Sequence, residues 1–401
     1  MKEQAAWIKN AIPKEGGEKS LALMSPEETA KVHRFHSSFP QYKMTPLANL
    51  ENLAKLLGVK GVFVKDESYR FGLNAFKVLG GSYAIGRYIA GKLNRDIADV
   101  DYSVLVSGET KRALGDITFY TATDGNHGRG VAWAANKLGQ KSVVLMPEGS
   151  SPARLQNILN EGASASITNL NYDDAVRLAN EKASADPSGV MVQDTAWEGY
   201  EEIPSWIMQG YGTMSFEACN QLREAGIERP THIFVQAGVG SLAGSVQGFF
   251  ANRYPDNCPV TTIVEASAAD CLYRSVKAGR LVPVGGKLDT IMAGLACGEG
   301  NTVSWQILKN HSAFFVSAPD HLAARGMRIL GAPLRGDPRV ISGESGAVGC
   351  GLLASVMQDE ALADFRSALG LNAESVVLLF SSEGDTDPEK YLDIVWKGAY
   401  S

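Results

Sequence analysis

Strands and helices alternate along residues 117–193, and this alternation restricts the possible folds more than any other feature of the sequence. Ile117-Thr-Phe-Tyr-Thr-Ala-Thr123 is strand-like, and segment 128–138 is helix-like and ends before Gly139. The other strand-like segments are 142–146, 163–168 and 190–193, and the other helix-like segments are 152–160 and 173–183. Strands that alternate with helices at this spacing predict a parallel sheet with helices on its faces.

A second series of strands and helices flanks the first one in the sequence. Its strand-like segments are 61–65, 231–236, 260–264 and 376–380, and its helix-like segments are 50–57, 82–93, 205–224, 242–252 and 346–357. At roughly 150 residues per domain, a chain of 401 residues holds two or three core units. A hydrophobic content of 45% with 20% charged residues is that of an ordinary globular protein. We therefore predict an α/β protein with two α/β units in one continuous globule.

Charge and cysteine pattern argue against several classes of function. A net charge of −6, an isoelectric point near 5.6 and the lack of a basic run argue against nucleic-acid binding. No segment approaches the roughly 18 apolar residues of a membrane helix, and the N-terminus lacks the apolar stretch of a signal peptide. The five cysteines form no C-x-x-C or paired Cys/His spacing, so we expect no metal site and a cytoplasmic location. His33 and His36 lack a third ligand and are predicted to lie on a solvated surface.

Lys77 stands in an apolar setting, between Ala-Phe and Val-Leu-Gly-Gly. Desolvation lowers the pKa of an amine, and a neutral amine can attack an aldehyde to form a Schiff base. The alternative is a lysine whose stem covers apolar surface while its ammonium stays in water. Taken alone, the segment leaves both interpretations open.

Three loops that follow strand-like segments carry candidate binding groups. Segment 121–130, Thr-Ala-Thr-Asp-Gly-Asn-His-Gly-Arg-Gly, joins a strand to a helix, where backbone N–H groups bind anions and glycines permit close approach. Its alternative is a turn in which Asp124 or Asn126 caps the helix. Segment 380–387, Phe-Ser-Ser-Glu-Gly-Asp-Thr-Asp, follows the most apolar strand and reaches the edge of the sheet where ligands bind, unless it only caps the next helix.

The third loop, Gln236-Ala-Gly-Val-Gly-Ser-Leu-Ala-Gly244, is a candidate phosphate cradle by the same physics. It is also similar to a dinucleotide fingerprint, since the next strand ends in Glu265, where an acid that binds ribose would stand. Its spacing, G-x-G-x-x-x-G, is one residue longer than that fingerprint. A nicotinamide-dependent dehydrogenase built on residues 231–265 therefore remains an alternative.

Taken in order, the lysine after Phe76, the G-N-H-G loop, the G-V-G-S-L loop and the terminal serines resemble the pyridoxal-phosphate enzymes of the tryptophan-synthase β fold. Within that group the chain is similar to the diaminopropionate ammonia-lyases from about residue 40 to residue 397. The segments that carry this resemblance are Lys65-Asp-Glu-Ser, Arg70-Phe-Gly-Leu-Asn-Ala-Phe-Lys77, Thr123-Asp-Gly-Asn-His-Gly-Arg-Gly130, Gln193-Asp-Thr-Ala-Trp-Glu-Gly-Tyr200 and Ile341-Ser-Gly-Glu-Ser-Gly-Ala-Val-Gly349.

The resemblance implies a fold-type II enzyme with two three-layer α/β domains and mostly parallel sheets. A large cofactor-binding domain would comprise residues 1–95 and 200–401, and a small substrate-side domain would comprise residues 96–199. The implied reaction is the α,β-elimination of 2,3-diaminopropionate, in both D and L forms, to pyruvate and ammonia, with pyridoxal 5'-phosphate as cofactor. The implied assembly is a homodimer. A serine or threonine dehydratase on the same scaffold and a non-catalytic amino-acid sensor remain alternatives.

The resemblance also assigns roles to individual residues. Lys77 would bind the cofactor covalently, and Asp124 and Asp194 would act on the substrate: Asp124 and Lys77 as bases for the D- and L-isomers, and Asp194 as the ligand of the second amine. The other cofactor-binding residues would be Phe76, Asn126, Gly238, Val239, Gly240, Ser241, Leu242 and Ser381, with Ser382 in place of Ser381 if the register differs by one. Thr123, Gly125 and His127 would bind the substrate carboxylate. Cys271 and Cys297 would pair, although a reducing cytosol opposes a disulfide.

Overall fold

Two β-sheets organise the protein in the computed structural model, which describes residues 4–401 apart from the side chains at positions 17 and 18. The strands are β1 (Ala6–Lys9), β2 (Leu47–Asn49), β3 (Gly61–Asp66), β4 (Thr118–Ala122), β5 (Lys141–Met146), β6 (Ser164–Ile167), β7 (Gly189–Met191), β8 (His232–Gln236), β9 (Val260–Ala266), β10 (Phe314–Ala318) and β11 (Val376–Ser381). Within the described residues, the larger sheet has seven strands in the order β1-β10-β9-β8-β11-β3-β2, and the smaller sheet has four in the order β6-β5-β4-β7.

Parallel pairing dominates both sheets. The smaller sheet is parallel throughout, as are the neighbours from β10 to β3 in the larger sheet. Only the edge strands β1 and β2 pair antiparallel to their neighbours within residues 4–401. These sheets confirm the predicted α/β class with mostly parallel strands. The predicted domain boundaries stay a prediction.

Helices connect the strands and cover the faces of the sheets. They are α1 (Gly17–Leu21), α2 (Pro26–Ser37), α3 (Glu51–Leu57), α4 (Val78–Lys92), α5 (Tyr102–Leu105), α6 (Gly108–Leu114), α7 (Asn126–Lys137), α8 (Pro152–Asn160), α9 (Tyr172–Ala185), α10 (Glu202–Glu224), α11 (Ser241–Arg253), α12 (Cys271–Ala278), α13 (Thr302–His311), α14 (Asp320–Gly331), α15 (Glu344–Gln358), α16 (Ala363–Leu369) and α17 (Pro388–Tyr391). A π-helical turn, Leu392–Trp396, follows α17. In the part of the chain from residue 4 onward, no helix is both long and apolar enough to span a membrane.

The central strands of the larger sheet are buried on both faces, which explains the apolar residues on both of their faces. Every residue of β3, β8 and β11 is buried. Alternate residues of β11 point to opposite faces: Leu378 and Phe380 belong to one hydrophobic core, and Val377 and Leu379 belong to the other. The strand ends therefore hold their loops at a fixed edge.

A buried cluster of ionic side chains fastens β3 to α10. Arg70 donates to both carboxylate oxygens of Glu67 and to both of Glu217, each at 2.8 Å. Lys65 Nζ lies 2.6 Å from Glu217 Oε2, and all four side chains are fully buried. Two cations and two carboxylates balance one another, so the cluster carries no net charge into the core.

The prediction that His33 and His36 lie on a solvated surface is wrong. His36 is fully buried, with Nδ1 2.7 Å from Thr213 Oγ1 and Nε2 3.0 Å from the Leu79 carbonyl oxygen. His33 is half-buried, with Nε2 3.0 Å from the Tyr42 hydroxyl. The cause is the packing of α2 against α10, which covers this face of α2.

Candidate active site

Loops from both sheets line one cavity. The loops follow β4, β8 and β11, and the segment before α4 closes another side. The lining residues are Phe76, Lys77, Asn126, Asp194, Tyr211, Gln236, Gly238, Val239, Gly240, Ser241, Leu242, Gly294, Leu295, Cys297, Ser345, Ser382 and Glu383. A wider cleft, which also borders on Lys77, adds Asp124 and Arg154. The cavity thus collects most of the predicted site residues at the carboxyl edge of the strands, where ligands bind in open α/β folds.

Lys77 directly precedes α4, and 16% of its side chain is exposed. Its Nζ donates to Asp194 Oδ2 at 2.9 Å. Burial alone would lower the pKa of Lys77, but the carboxylates of Asp194 and Asp124 outweigh burial and raise that pKa above its ordinary value. At this lysine the carboxylates thus outweigh desolvation, and Asp194 keeps the ammonium charged.

Asp194 follows β7 and is held by its backbone as well as by its carboxylate. Its carbonyl oxygen accepts from Ser241 Oγ at 2.6 Å and from Asn301 Nδ2 at 3.2 Å. The Tyr172 hydroxyl lies 3.5 Å from Oδ1. Burial raises the pKa of the Asp194 carboxyl, but Lys77 and the other favourable groups outweigh burial and bring it to about 2. Asp194 is therefore a fixed anion in the cavity wall.

Asp124 lies in the loop between β4 and α7, with 19% of its side chain exposed. Arg154 Nη1 donates to Asp124 Oδ2 at 3.1 Å. Burial raises the pKa of Asp124, while Lys77 and Arg154 act in the opposite direction. Arg154, on α8, is only 5% exposed, and its Nη2 lies 3.4 Å from Thr386 Oγ1 and 3.9 Å from Glu344 Oε2. Arg154 thus joins the loop after β4 to groups attached to the larger sheet.

The polar groups of the G-N-H loop have different surroundings: one bonds within the loop, and another lines the cavity. The Gly125 N–H donates to Thr123 Oγ1 at 2.9 Å, so this donor is committed within the turn. Asn126, the first residue of α7, donates from Nδ2 to Glu383 Oε2 at 2.5 Å and lines the cavity. His127 is 1% exposed, and its Nε2 lies 2.8 Å from the Val192 carbonyl oxygen. Within the described residues, His127 Nδ1 has no hydrogen-bond partner.

Residues 238–242 form a tight strand-to-helix turn against the cavity. Gly240 has φ = +101°, a backbone conformation that favours glycine. A Cβ on Gly240 would lie 2.8 Å from Ser304 Oγ, and one on Gly238 would lie 2.9 Å from the Gly294 carbonyl oxygen. Because α11 begins at Ser241, its first N–H groups have no partner within the helix, and residues 238–242 line the cavity at this helix end.

The two serines after β11 differ in their surroundings. Ser381 is fully buried, and its Oγ donates to Ser342 Oγ at 2.9 Å. Ser381 is not among the residues that line the cavity, whereas Ser382 is, and Gln236 Nε2 donates to Ser382 Oγ at 2.7 Å. The alternative register, with Ser382 as the ligand, therefore fits the geometry better. Beside Ser382, whose carbonyl oxygen accepts from the Phe76 N–H at 3.0 Å, the Phe76 ring packs against Tyr211 with ring centroids 4.6 Å apart.

The geometry does not support the dinucleotide interpretation of residues 231–265. Glu265 is fully buried and accepts from the backbone N–H groups of Leu272 at 2.8 Å and Tyr273 at 2.6 Å. It holds the start of α12 and is not available to a ribose hydroxyl.

Cys271 and Cys297 are both buried free thiols. Among residues 4–401, no three His, Cys, Asp or Glu side chains group as metal ligands.

Several of these groups gave no signal in the sequence. Arg154 is a lone arginine on an amphipathic helix, and Asn301 is the N-cap of α13, so neither stands in a recognisable motif. Tyr172 is equally isolated. Glu383 lies inside the predicted terminal loop, so its nearness to the edge of the sheet was foreseeable, but its bond to Asn126 was not.

The cavity suits pyridoxal phosphate in three independent respects. Lys77 supplies an amine for an aldehyde, and residues 238–242 line the cavity at the N-terminus of α11, where a phosphate can bind. Asn126 and Ser382 supply hydrogen-bonding groups between these two ends.

Comparison with known proteins agrees with the geometry. A family model described as pyridoxal-phosphate dependent enzyme matches residues 39–381. The diaminopropionate ammonia-lyase of Salmonella typhimurium is 52% identical over 382 residues, covering 94% of each chain, and that of Escherichia coli K12 is 50% identical over 380 residues with the same coverage. The crystal structure of the Escherichia coli enzyme in complex with D-serine superposes with a TM-score of 0.92 at 47% identity, covering 99% of this chain and 98% of the other.

Proposed function

We propose that this chain, which belongs to the family of pyridoxal-phosphate dependent enzymes, catalyses the elimination of ammonia from 2,3-diaminopropionate, after which hydrolysis of the product by one water gives pyruvate and a second ammonia. The observation that carries the proposal is the presence of two carboxylates, Asp124 and Asp194, around Lys77. Diaminopropionate differs from serine in having a second amine, and a carboxylate binds an ammonium by a charge-assisted hydrogen bond. Similarity over nearly the whole chain to diaminopropionate ammonia-lyases supports the same substrate.

The cofactor would be held by groups from both sides of the cavity. We assign its covalent attachment to Lys77, its phosphate to the backbone N–H groups of 238–242, and its 3-oxygen to Asn126. The Ser241 hydroxyl, predicted to help with the phosphate, donates to the Asp194 carbonyl oxygen instead. Phe76 would pack against its ring. Ser382 is assigned to the ring nitrogen in preference to Ser381, because the Ser381 hydroxyl is committed to Ser342. When bound, the cofactor accepts the electrons that are released when the Cα–H bond of the substrate breaks.

The substrate would meet three ionisable groups. Asp194 holds the β-ammonium, and its low pKa keeps it anionic for that purpose. Asp124 removes the Cα proton of the D-isomer, and Lys77 removes that of the L-isomer; general-base catalysis of this kind contributes roughly 10²–10⁴-fold. Protonation of the β-amine makes it a better leaving group, and a neighbouring carboxylate favours the protonated form.

The organisation of the chain is proposed from the same resemblance. Residues 96–199 would form the small domain, and residues 1–95 and 200–401 the large one. Support comes from the sheets: every strand of the smaller sheet lies between Thr118 and Met191. We further propose a homodimer in the cytoplasm.

An assay of the purified holoenzyme tests the proposed function. Ammonia and pyruvate release are measured with D- and L-diaminopropionate beside D- and L-serine and threonine. We expect diaminopropionate to give by far the highest kcat/KM. A preference for serine or threonine would identify a dehydratase instead, and no turnover of any of them would refute an ammonia-lyase.

A further inference from the structure

The tautomer of His127 follows from its surroundings. Nε2 lies 2.8 Å from the carbonyl oxygen of Val192, and a carbonyl oxygen only accepts hydrogen bonds. The proton of the neutral ring therefore resides on Nε2, which leaves Nδ1 as a bare acceptor. Burial lowers the pKa of His127, which favours this neutral ring.

His127 Nδ1 is an unsatisfied acceptor within the residues that the structure describes, on a side chain that is 1% exposed. It lies 4.0 Å from Asp194 Oδ2, the carboxylate oxygen that receives Lys77 Nζ at 2.9 Å. Beyond the Lys77 ammonium that Oδ2 already receives, two acceptors at this separation match a donor that carries more than one hydrogen. A primary ammonium has three.

The same geometry disfavours a carboxylate at this place. A substrate carboxylate brings only acceptors, and it would face both the lone pair of Nδ1 and the negative charge of Asp194. The hydroxyl of Thr123 and the N–H groups at the N-terminus of α7 can donate to a carboxylate, which His127 Nδ1 cannot do. The predicted role of His127 as a ligand of the substrate carboxylate is therefore not the one that its hydrogen bonding favours.

We infer that His127 Nδ1 and Asp194 together receive the β-ammonium of the substrate, so that His127 is a substrate-binding residue that recognises the second amine. This inference rests on the proposed function and deepens it, because it assigns a second ligand to the group that distinguishes diaminopropionate from other amino acids. Asp194 attracts the ammonium by charge, and a hydrogen bond to the neutral Nδ1 fixes the orientation of the ammonium. Removal of Nδ1 alone should therefore weaken recognition of the amine without affecting recognition of the carboxylate.

The variant His127→Gln isolates Nδ1. A glutamine amide reaches the position of Nε2 and can still donate to Val192, but it places no acceptor at Nδ1. His232→Gln is the matched control, because His232 is also buried, also bonds a carbonyl oxygen through Nε2 (that of Leu369, at 3.0 Å), and lies at the opposite end of β8 from the cavity.

Two constants are compared for each protein: KM for diaminopropionate, and the inhibition constant of alanine, which has the carboxylate and α-amine but no β-amine. In His127→Gln we expect KM for diaminopropionate to rise on the order of 10–100-fold, the range of a hydrogen bond to a charged group, while the inhibition constant of alanine stays unchanged. His232→Gln should change neither. An equal rise in both constants for His127→Gln would restore the carboxylate role and overturn the inference, as would an unchanged KM.

A spectroscopic measurement on the unmodified holoenzyme tests the tautomer independently of turnover. In a sample with ¹⁵N-labelled histidine, the signals of His127 are those that disappear in His127→Gln, one residue among six histidines. We expect a bare Nδ1 and a protonated Nε2. A proton on Nδ1 would overturn the inference even if the wild-type enzyme acts on diaminopropionate, whereas absence of that activity would refute the proposed function instead.

Discussion

Gly240→Ala tests the phosphate cradle through a single added methyl group. Gly240 precedes α11 with φ = +101°, and a Cβ there would lie 2.8 Å from Ser304 Oγ and 3.2 Å from Leu272 Cδ1. The methyl group therefore meets two obstacles, an unfavourable backbone conformation and neighbours that must move.

Both penalties can be estimated. A non-glycine residue in a sparsely populated backbone region costs about 1–3 kcal/mol, and overpacking costs about 1–3 kcal/mol more. The loop can relieve part of this penalty only by shifting, which displaces the N–H groups of Ser241 and Leu242. Each hydrogen bond to a charged group contributes about 1.5–3 kcal/mol, so loss of even one should weaken cofactor affinity by about 10-fold or more.

Gly279→Ala is the control for backbone strain alone. Gly279 ends α12 with φ = +69°, and a Cβ there meets nothing within 4 Å. Alanine at this position should cost about 1–2 kcal/mol of stability without crowding any neighbour. Gly279 does not line the cavity, so we expect its variant to keep the parental cofactor affinity.

The assay is titration of each apoenzyme with pyridoxal phosphate, followed by visible absorbance, together with urea unfolding of the same apoenzymes. Both variants should lose stability, and only Gly240→Ala should lose affinity. Parental affinity in Gly240→Ala, despite a measured loss of stability, would refute the position of the phosphate at residues 238–242.

Three further predictions concern charged groups. Asp124→Asn should impair turnover of D-diaminopropionate far more than that of the L-isomer, whereas Asp194→Asn should impair both; equal losses on the two isomers in Asp124→Asn would refute the division of roles. Lys77→Ala should abolish turnover and leave no cofactor trapped by borohydride, and trapped cofactor would point to another lysine. Glu217→Gln should lower the free energy of unfolding by about 3–5 kcal/mol at pH 7, because it leaves the cations of the buried cluster with one carboxylate. Burial raises the pKa of Glu217, but Arg70 and Lys65 outweigh burial and lower it from 4.5 to about 2, so in urea unfolding the difference from wild type should be complete above pH 4.5 and shrink as the pH falls toward 2.

The central strands could be predicted because apolar residues on both faces of a strand indicate that both faces are buried. β3, β8 and β11 are apolar on both faces, and their observed bounds differ from the predicted ones by a single residue at one end. The edge strands could not be predicted in this way. β1 has four residues and β2 has three, and each exists through pairing with a partner distant in the sequence or on the other side of a helix. Such strands are defined by tertiary contacts and not by local propensity.

In the site, too, features set by neighbouring residues in the sequence could be predicted, and contacts between distant residues could not. The loops 123–127 and 238–242 could be predicted because glycines and helix-capping residues stand in one short segment. The partner of Asp124 could not, since Arg154 is 30 residues away in the sequence and resembles any solvated arginine on a helix. The tautomer of His127 likewise depends on a carbonyl group 65 residues away.

The ion pairs of the site cross between the two sheets, and this has a consequence for its chemistry. Lys77 precedes α4, which follows β3 of the larger sheet, whereas Asp194 follows β7 of the smaller sheet. Arg154 belongs to the smaller sheet's side and lies 3.9 Å from Glu344, which begins α15 beside β11. Each pair weakens if the sheets move apart, because an opposite charge lowers the pKa of a carboxyl only at short range. The low pKa of Asp194 and the raised pKa of Lys77 therefore both depend on the apposition of the two sheets.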